Sequence, residues 1–113
     1  MIYKNFKDSE VFIGKTNKTY EYNIEDNDIN YCIVEIDGRF PIKGRLTNIE
    51  CKEMVNVLSG SGFICVENKI YELKKDDVVL ISQNEKYYWQ GKMKLGCSCT
   101  PAWHPKQSKN ILD

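Results

Sequence analysis

Histidine is almost absent from this chain: there is one, His104, close to the C-terminus. Arginine is nearly as scarce, with only Arg39 and Arg45 among 16 basic residues. Neither sign of charge dominates, because 16 acidic residues bring the formal net charge to zero. Binding to nucleic acid needs a basic footprint, so no nucleic-acid partner is expected. The balance also leaves self-association unopposed by repulsion, and a homodimer is expected. No apolar run approaches the length of a membrane span, and "MIYKNFKDSEVF" lacks the apolar core of a secretory signal. The expectation is therefore a cytoplasmic protein with no membrane contact.

Paired-cysteine motifs are missing as well. Cys32, Cys51, Cys65, Cys97 and Cys99 are odd in number and include no C-x-x-C, so neither a disulfide framework nor a zinc ribbon fits. Cys97 and Cys99 share one face of a strand, where buried free thiols are the plainer reading than a two-ligand metal clip.

What is present is strand signal. The 113 residues make one domain with one modest core. "INYCIVEI" (29–36) is rich in β-branched and aromatic residues and runs into Asp37-Gly38, a turn pair. "EMVNVL" alternates Val55 and Val57 against Asn56, the period of a half-buried strand. Ser59 to Gly62 reads as a tight glycine turn and Asn68 as a hairpin turn. "IYEL" pairs back, and Lys74 to Asp77 turns into "VVLI". Two further strands are expected, at "KYYWQG" (86–91) and "MKLGCSCT" (93–100). No segment carries a convincing helical period, so the pattern is a β-sandwich or barrel.

Residues up to about 28 read as an irregular arm whose one strand-like piece, "TYEYNI", is suited to covering a sheet edge of its own chain or a partner. The barrel core spans about 29–100. In the tail, 101–113, Pro101 and Pro105 forbid a continuing strand. Trp103 is expected to dock on the barrel wall and close one end of the core, leaving ligand binding to the other end.

Two stretches then resemble the signatures of the cupin superfamily, G-x5-H-x-H-x3-4-E-x6-G and G-x5-P-x-G-x2-H-x3-N. Glu53 to Gly60 reproduces the E-x6-G half. "LKKDDVVLI" resembles the start of the second, with Asp76 in place of glycine, and aspartate enters left-handed backbone readily. The resemblance spans roughly Gly38 to Trp103. It implies an all-β fold: a cupin-type jelly roll, or double-stranded β-helix barrel, with little or no helix. The family's metal ligands do not carry over. Its paired histidines fall on Leu46 and Asn48, or on Thr47 and Ile49 in the shorter spacing, and its third falls on Tyr87. Glu53 alone keeps a metal-binding type, and one carboxylate cannot hold a catalytic metal. No metal and no cofactor are expected.

An interior pocket remains, with Arg45, Asn48, Glu53, Tyr87 and Trp89 as candidate ligand-binding residues and none assigned as catalytic. Glu53 is expected to point inward with Tyr87 as its partner, because an unpaired buried carboxylate is costly or takes up a proton. The alternative is an exposed strand carboxylate. Tyr87 and Trp89 share a face by alternation and make either an aromatic floor for a sugar or flat ring, or core filling. Arg45, near Arg39 and Lys43, suits an anionic group unless the segment is a solvated basic loop. His104 reads as a surface imidazole. Two functions compete: a metal-independent barrel binding a small, anionic or sugar-like molecule, and a metal-independent sugar isomerase or epimerase using tyrosine–glutamate acid–base chemistry.

Overall fold

The computed structural model describes residues 1–112, which form nine strands. They are β1 (Glu10–Ile13), β2 (Asn17–Glu21), β3 (Asn30–Phe40), β4 (Arg45–Asn48), β5 (Lys52–Val66), β6 (Lys69–Lys74), β7 (Val78–Ile81), β8 (Tyr87–Thr100) and β9 (Ser108–Ile111). Two short 3-10 turns, Phe6–Asp8 and Pro105–Gln107, are the helical content among the described residues. No helix there is long and apolar enough to cross a membrane.

β8 is the spine of the fold. Tyr87, Trp89, Met93, Leu95, Cys97 and Cys99 are buried at every second position, the period of a strand with one face to the core. β3 pairs along one side of β8 and β5 along the other, both antiparallel. The hydrogen-bond register carries the buried face sideways. Leu95 lies opposite Val34 and Val57, Cys97 opposite Cys32 and Val55, and Cys99 opposite Asn30 and Glu53. Glu53 is therefore inward because Val55 and Val57 are. The sheet runs β1-β2-β3-β8-β4-β9, with β6 and β7 attached to β5, and encloses one core.

Two expected turns, and the break expected between the last two strands, are bends within strands instead. β3 continues through Asp37-Gly38, β5 through Ser59–Gly62, and β8 through Gly91, joining two segments read separately. Gly91 lies opposite Gly38 on one side and Gly62 on the other. Within this row the β8 and β5 backbones approach closely, since a Cβ on Gly91 would come within 2.6 Å of the Gly62 Cα. A register shift between Val57 and Ser59 adds a bulge just before it.

The turn at Glu67-Asn68 forms as expected, but Glu67 takes the positive φ of 53°. Asp76 has a φ of 75°, as the cupin resemblance implies. At the N-terminus, β1 and β2 make a hairpin that covers the β3 edge of its own chain. The tail breaks after Thr100, as its prolines require, and then re-enters the sheet. β9, which the sequence did not reveal, pairs with β4 from Arg45↔Ile111 to Asn48↔Ser108.

Candidate ligand-binding cavity

A cavity of about 350 Å³ opens on the inner face beside Glu53. Phe12, Phe40, Leu46 and Trp103 give it apolar walls, while Thr19, Glu21, Asn30, Glu53 and Tyr87 bring polar atoms to it. Cys32 and Cys99 also line it. Six strands and the tail contribute, so closure of the sheet creates the site.

Glu53 is the focus of its polar contacts. Asn48 Nδ2 donates to Glu53 Oε1 at 3.1 Å, and the Tyr87 hydroxyl makes a long approach to the same oxygen at 3.5 Å. Asn48 comes from β4, where Leu46 and Asn48 alternate inward. Its amide is held from behind by Gln107 Nε2, which donates to Asn48 Oδ1 at 2.9 Å. Burial pushes the Glu53 carboxyl above its ordinary value, outweighing the donors Asn48, Cys97, Tyr87 and Cys99.

The neighbouring phenol and thiols are held neutral. Burial, then the Glu53 charge, pushes Tyr87 well above the usual phenol range. A hydrogen bond with Cys32, reinforced by burial, does the same to the Cys97 thiol, and burial raises Cys99. These thiols stay protonated, the inert state of a structural cysteine. Glu21 faces the same cavity and is raised by burial first, then by Glu10 and Glu53.

The Asn48 amide and the neutral Tyr87 phenol both donate towards Glu53. No three His, Cys, Asp or Glu residues among those described are placed to hold a metal ion.

Arg45 is outside the cavity, which corrects the expectation placed on it. It leaves the sheet on the face opposite Leu46, where its guanidinium donates to the Glu67 carbonyl and lies 5.5 Å from the Tyr88 ring. Arg39 stacks on the same ring at 3.9 Å and donates to the Pro41 and Gly44 carbonyls. Trp89 is 3% exposed and belongs to the core. It supports Tyr87 edge-on, with ring centroids 6.1 Å apart, and does not line the cavity. Trp103, expected to close the core away from the ligand, is instead a cavity wall. Asn30 pins it there, donating to the Trp103 carbonyl at 3.2 Å and accepting from its N–H at 3.1 Å. His104 is exposed and meets Glu50 at 2.5 Å.

Sequence reasoning missed Glu21, Asn30, Trp103 and Gln107. Glu21 was within reach: Thr19 and Glu21 alternate with Tyr20 and Tyr22, and both line the cavity. Gln107 carries no sequence signal.

Other depressions lack this convergence. One of about 400 Å³ adjoins the cavity and shares Glu21, Asn30 and Trp103 with it. Another, about 640 Å³, is a surface groove along the β1–β2 turn and the β5 bulge.

No family model and no curated protein matches the sequence. Solved structures do match in three dimensions. Streptomyces Pac13, a nucleoside dehydratase, superposes with a TM-score of 0.91 at 15% identity, over 99% of this chain and 92% of Pac13. Variants of Pac13 have been solved with uridine, one matching at a TM-score of 0.90. Ectoine synthase from P. lautus matches at 0.72 with 17% identity, over 99% of this chain and 91% of that one. Oxalate decarboxylase from Bacillus subtilis matches at 0.83 with 10% identity, over 96% of this chain and 31% of the decarboxylase. At such identities the likeness speaks for architecture, and the architecture is a cupin-type β-barrel.

Proposed function

We propose that the barrel binds a neutral, oxygen-rich ring compound of the sugar or nucleoside class between Glu53, Tyr87 and Trp103. The observation that carries this reading is the interior cavity itself: apolar walls around a few polar groups that converge on one carboxyl. Trp103 and Phe40 offer surface to a ring face, and Glu53, Tyr87, Asn30 and Thr19 offer partners to hydroxyl or carbonyl oxygens. No lysine or arginine lines the cavity, and its two ionisable charges are carboxyls, so an anionic ligand is disfavoured. The uridine complexes of Pac13 make nucleosides the first compounds to try.

Calorimetry against uridine, other nucleosides and free sugars tests the reading. Binding is expected for at least one compound, with a loss of about tenfold or more in Trp103→Ala and Glu53→Leu. No binding across the panel at about millimolar concentration, or binding untouched by both substitutions, would sink it.

An acid–base enzyme is the second reading, favoured by the phenol beside Glu53 and by Glu21 on the same cavity. A carboxyl whose protonated form is favoured by burial can, next to a ring substrate, protonate a leaving or carbonyl oxygen. Proton NMR of the same compounds incubated with the protein would show turnover, and Glu53→Gln should stop it while leaving binding in place. We further propose a homodimer, for which the exposed Met54, Val78 and Leu80 supply an apolar face.

A further inference from the structure

A hydrogen-bond chain runs from the C-terminal tail to Glu53, and its first donors cannot be reversed. The Gln107 side chain is 0% exposed. Its Oε1 accepts from the backbone N–H of Cys51 at 3.2 Å and from that of Glu50 at 3.4 Å. A main-chain N–H can never accept, so the Gln107 amide has one workable orientation, with Nε2 turned to Asn48. Asn48, 1% exposed, receives that N–H on Oδ1 and must then direct its own Nδ2 to Glu53 Oε1. The Tyr87 hydroxyl approaches the same oxygen. Two amides are thus set in series, each orienting the next.

Oε1 is committed to accepting. The nitrogen and oxygen donors that reach the carboxyl among the described residues, Asn48 and Tyr87, both meet Oε1 and leave Oε2 without one, and the weakly donating Cys97 and Cys99 thiols also face the group. We propose that Gln107 is a positioning residue which, through Asn48, places the Glu53 proton on Oε2, so that the carboxyl presents a hydrogen-bond donor to the cavity. A proton on Oε1 would leave the Asn48 N–H and the Tyr87 O–H with the weaker acceptor of the two carboxyl oxygens. This rests on the cavity being the binding site, and it narrows the ligand: the group facing Glu53 is an acceptor oxygen such as a carbonyl, ether or hydroxyl, and not an ammonium.

The surroundings favour the protonated form. Around Glu53 are Tyr87, Cys97 and Cys99 on β8, Cys32 on β3, Glu21 on β2, and Cys51 before β5. All are neutral or acidic, and no cation stands among them to draw off the proton. Burial raises the carboxyl in the same sense.

Two ligand-free measurements test the proposal. The first follows the Glu53 side-chain carbon by NMR through a pH titration, its signal assigned by loss in Glu53→Gln. In Gln107→Met, similar in length but without the amide, Asn48 is no longer oriented and the carboxylate loses a donor that favours ionisation. The Glu53 midpoint is expected to rise by roughly half a pH unit or more. A residue with only a structural role would lower stability and leave that midpoint in place. A folded Gln107→Met protein with its midpoint within about 0.2 units of the parent overturns the proposal.

The second uses the parent protein alone and stands if the variant fails to fold. A neutron structure from deuterium-exchanged crystals at about pH 4, below the ordinary carboxyl value, should show deuterium on Oε2 and the Asn48 nitrogen facing Oε1. Deuterium on Oε1, or a flipped Asn48 amide, overturns it. Because neither measurement contains ligand, a failed nucleoside and sugar panel would remove the binding reading and leave the proton's position as measured.

Discussion

Glu53 links the pH dependence of stability to the chemistry of the cavity. Its folded-state value lies above the ordinary 4.5, so the folded chain keeps this proton to higher pH than the unfolded chain. Below 4.5 both states are protonated and the full stability is present. As pH rises, the unfolded state ionises first, and stability is lost until the folded carboxyl ionises too. Glu21, raised by burial, acts in the same direction. Asp77, held low chiefly by the Lys74 backbone N–H, acts oppositely and at lower pH. Glu53→Gln keeps an oxygen for Asn48 and cannot ionise, so its stability relative to the parent should grow between about pH 4 and about pH 7. Urea midpoints of both proteins at each pH check this, and a constant difference would mean the carboxyl ionises as readily folded as unfolded. The inward direction of Glu53 was legible because strand alternation ties it to Val55 and Val57. The direction of Arg45 was not, since the face of a four-residue strand is set by its neighbours β8 and β9.

At the scale of elements, strand composition was readable and strand continuity was not. The segments around Val34, Val57, Ile70 and Leu95 all form strands. Glycine, however, marks either a turn or a bend, and the sequence does not distinguish them before the partners are known. Gly38, Gly91 and Gly62 lie in one row across β3, β8 and β5; a side chain on Gly91 or Gly62 would strike the other's backbone, and one on Gly38 would press on the Thr16 side chain. Gly91 also has a φ of 138°, which strains any other residue. Gly91→Ala should therefore cost roughly 2–4 kcal/mol, combining backbone strain with overpacking against Gly62. Its denaturation midpoint should fall with little change in slope. A midpoint equal to the parent's would mean the strands separate at this row without loss. β9 was hidden for another reason: "SKNI" has little strand character of its own and is held by pairing with β4 and by Gln107, whose carbonyl accepts from the Ile49 N–H at 2.9 Å.

At the scale of the whole molecule, zero net charge and an uncovered apolar face point to the same assembly. The N-terminal hairpin lies on its own β3 edge, so no strand exchange is needed to complete the sheet. The outer face is covered in part: Phe6 packs 5.0 Å from Tyr20 and 6.3 Å from Tyr22, and Tyr22 packs 5.8 Å from Tyr31. Further along, Met54 lies opposite Leu80, with Val78 two pairs on opposite Asn56, and Met54, Leu80 and Val78 are exposed. Neighbouring apolar side chains of this size on one face are more than the scattered exposure normal for a monomer. A second copy is a suitable cover, because a two-fold axis sets the patch against itself and neither copy carries net charge to oppose contact. Sedimentation at about micromolar concentration should give a dimer for the parent and a monomer for Met54→Lys/Leu80→Lys. That double variant should keep ligand affinity, because Met54 alternates outward from Glu53 on β5 and Leu80 alternates outward from buried Ile81 on β7. A monomeric parent would leave the patch without this role. A dimer that survives both lysines would move the interface elsewhere, with the edge strand β1 and its exposed Val11 and Ile13 as the next surface to alter.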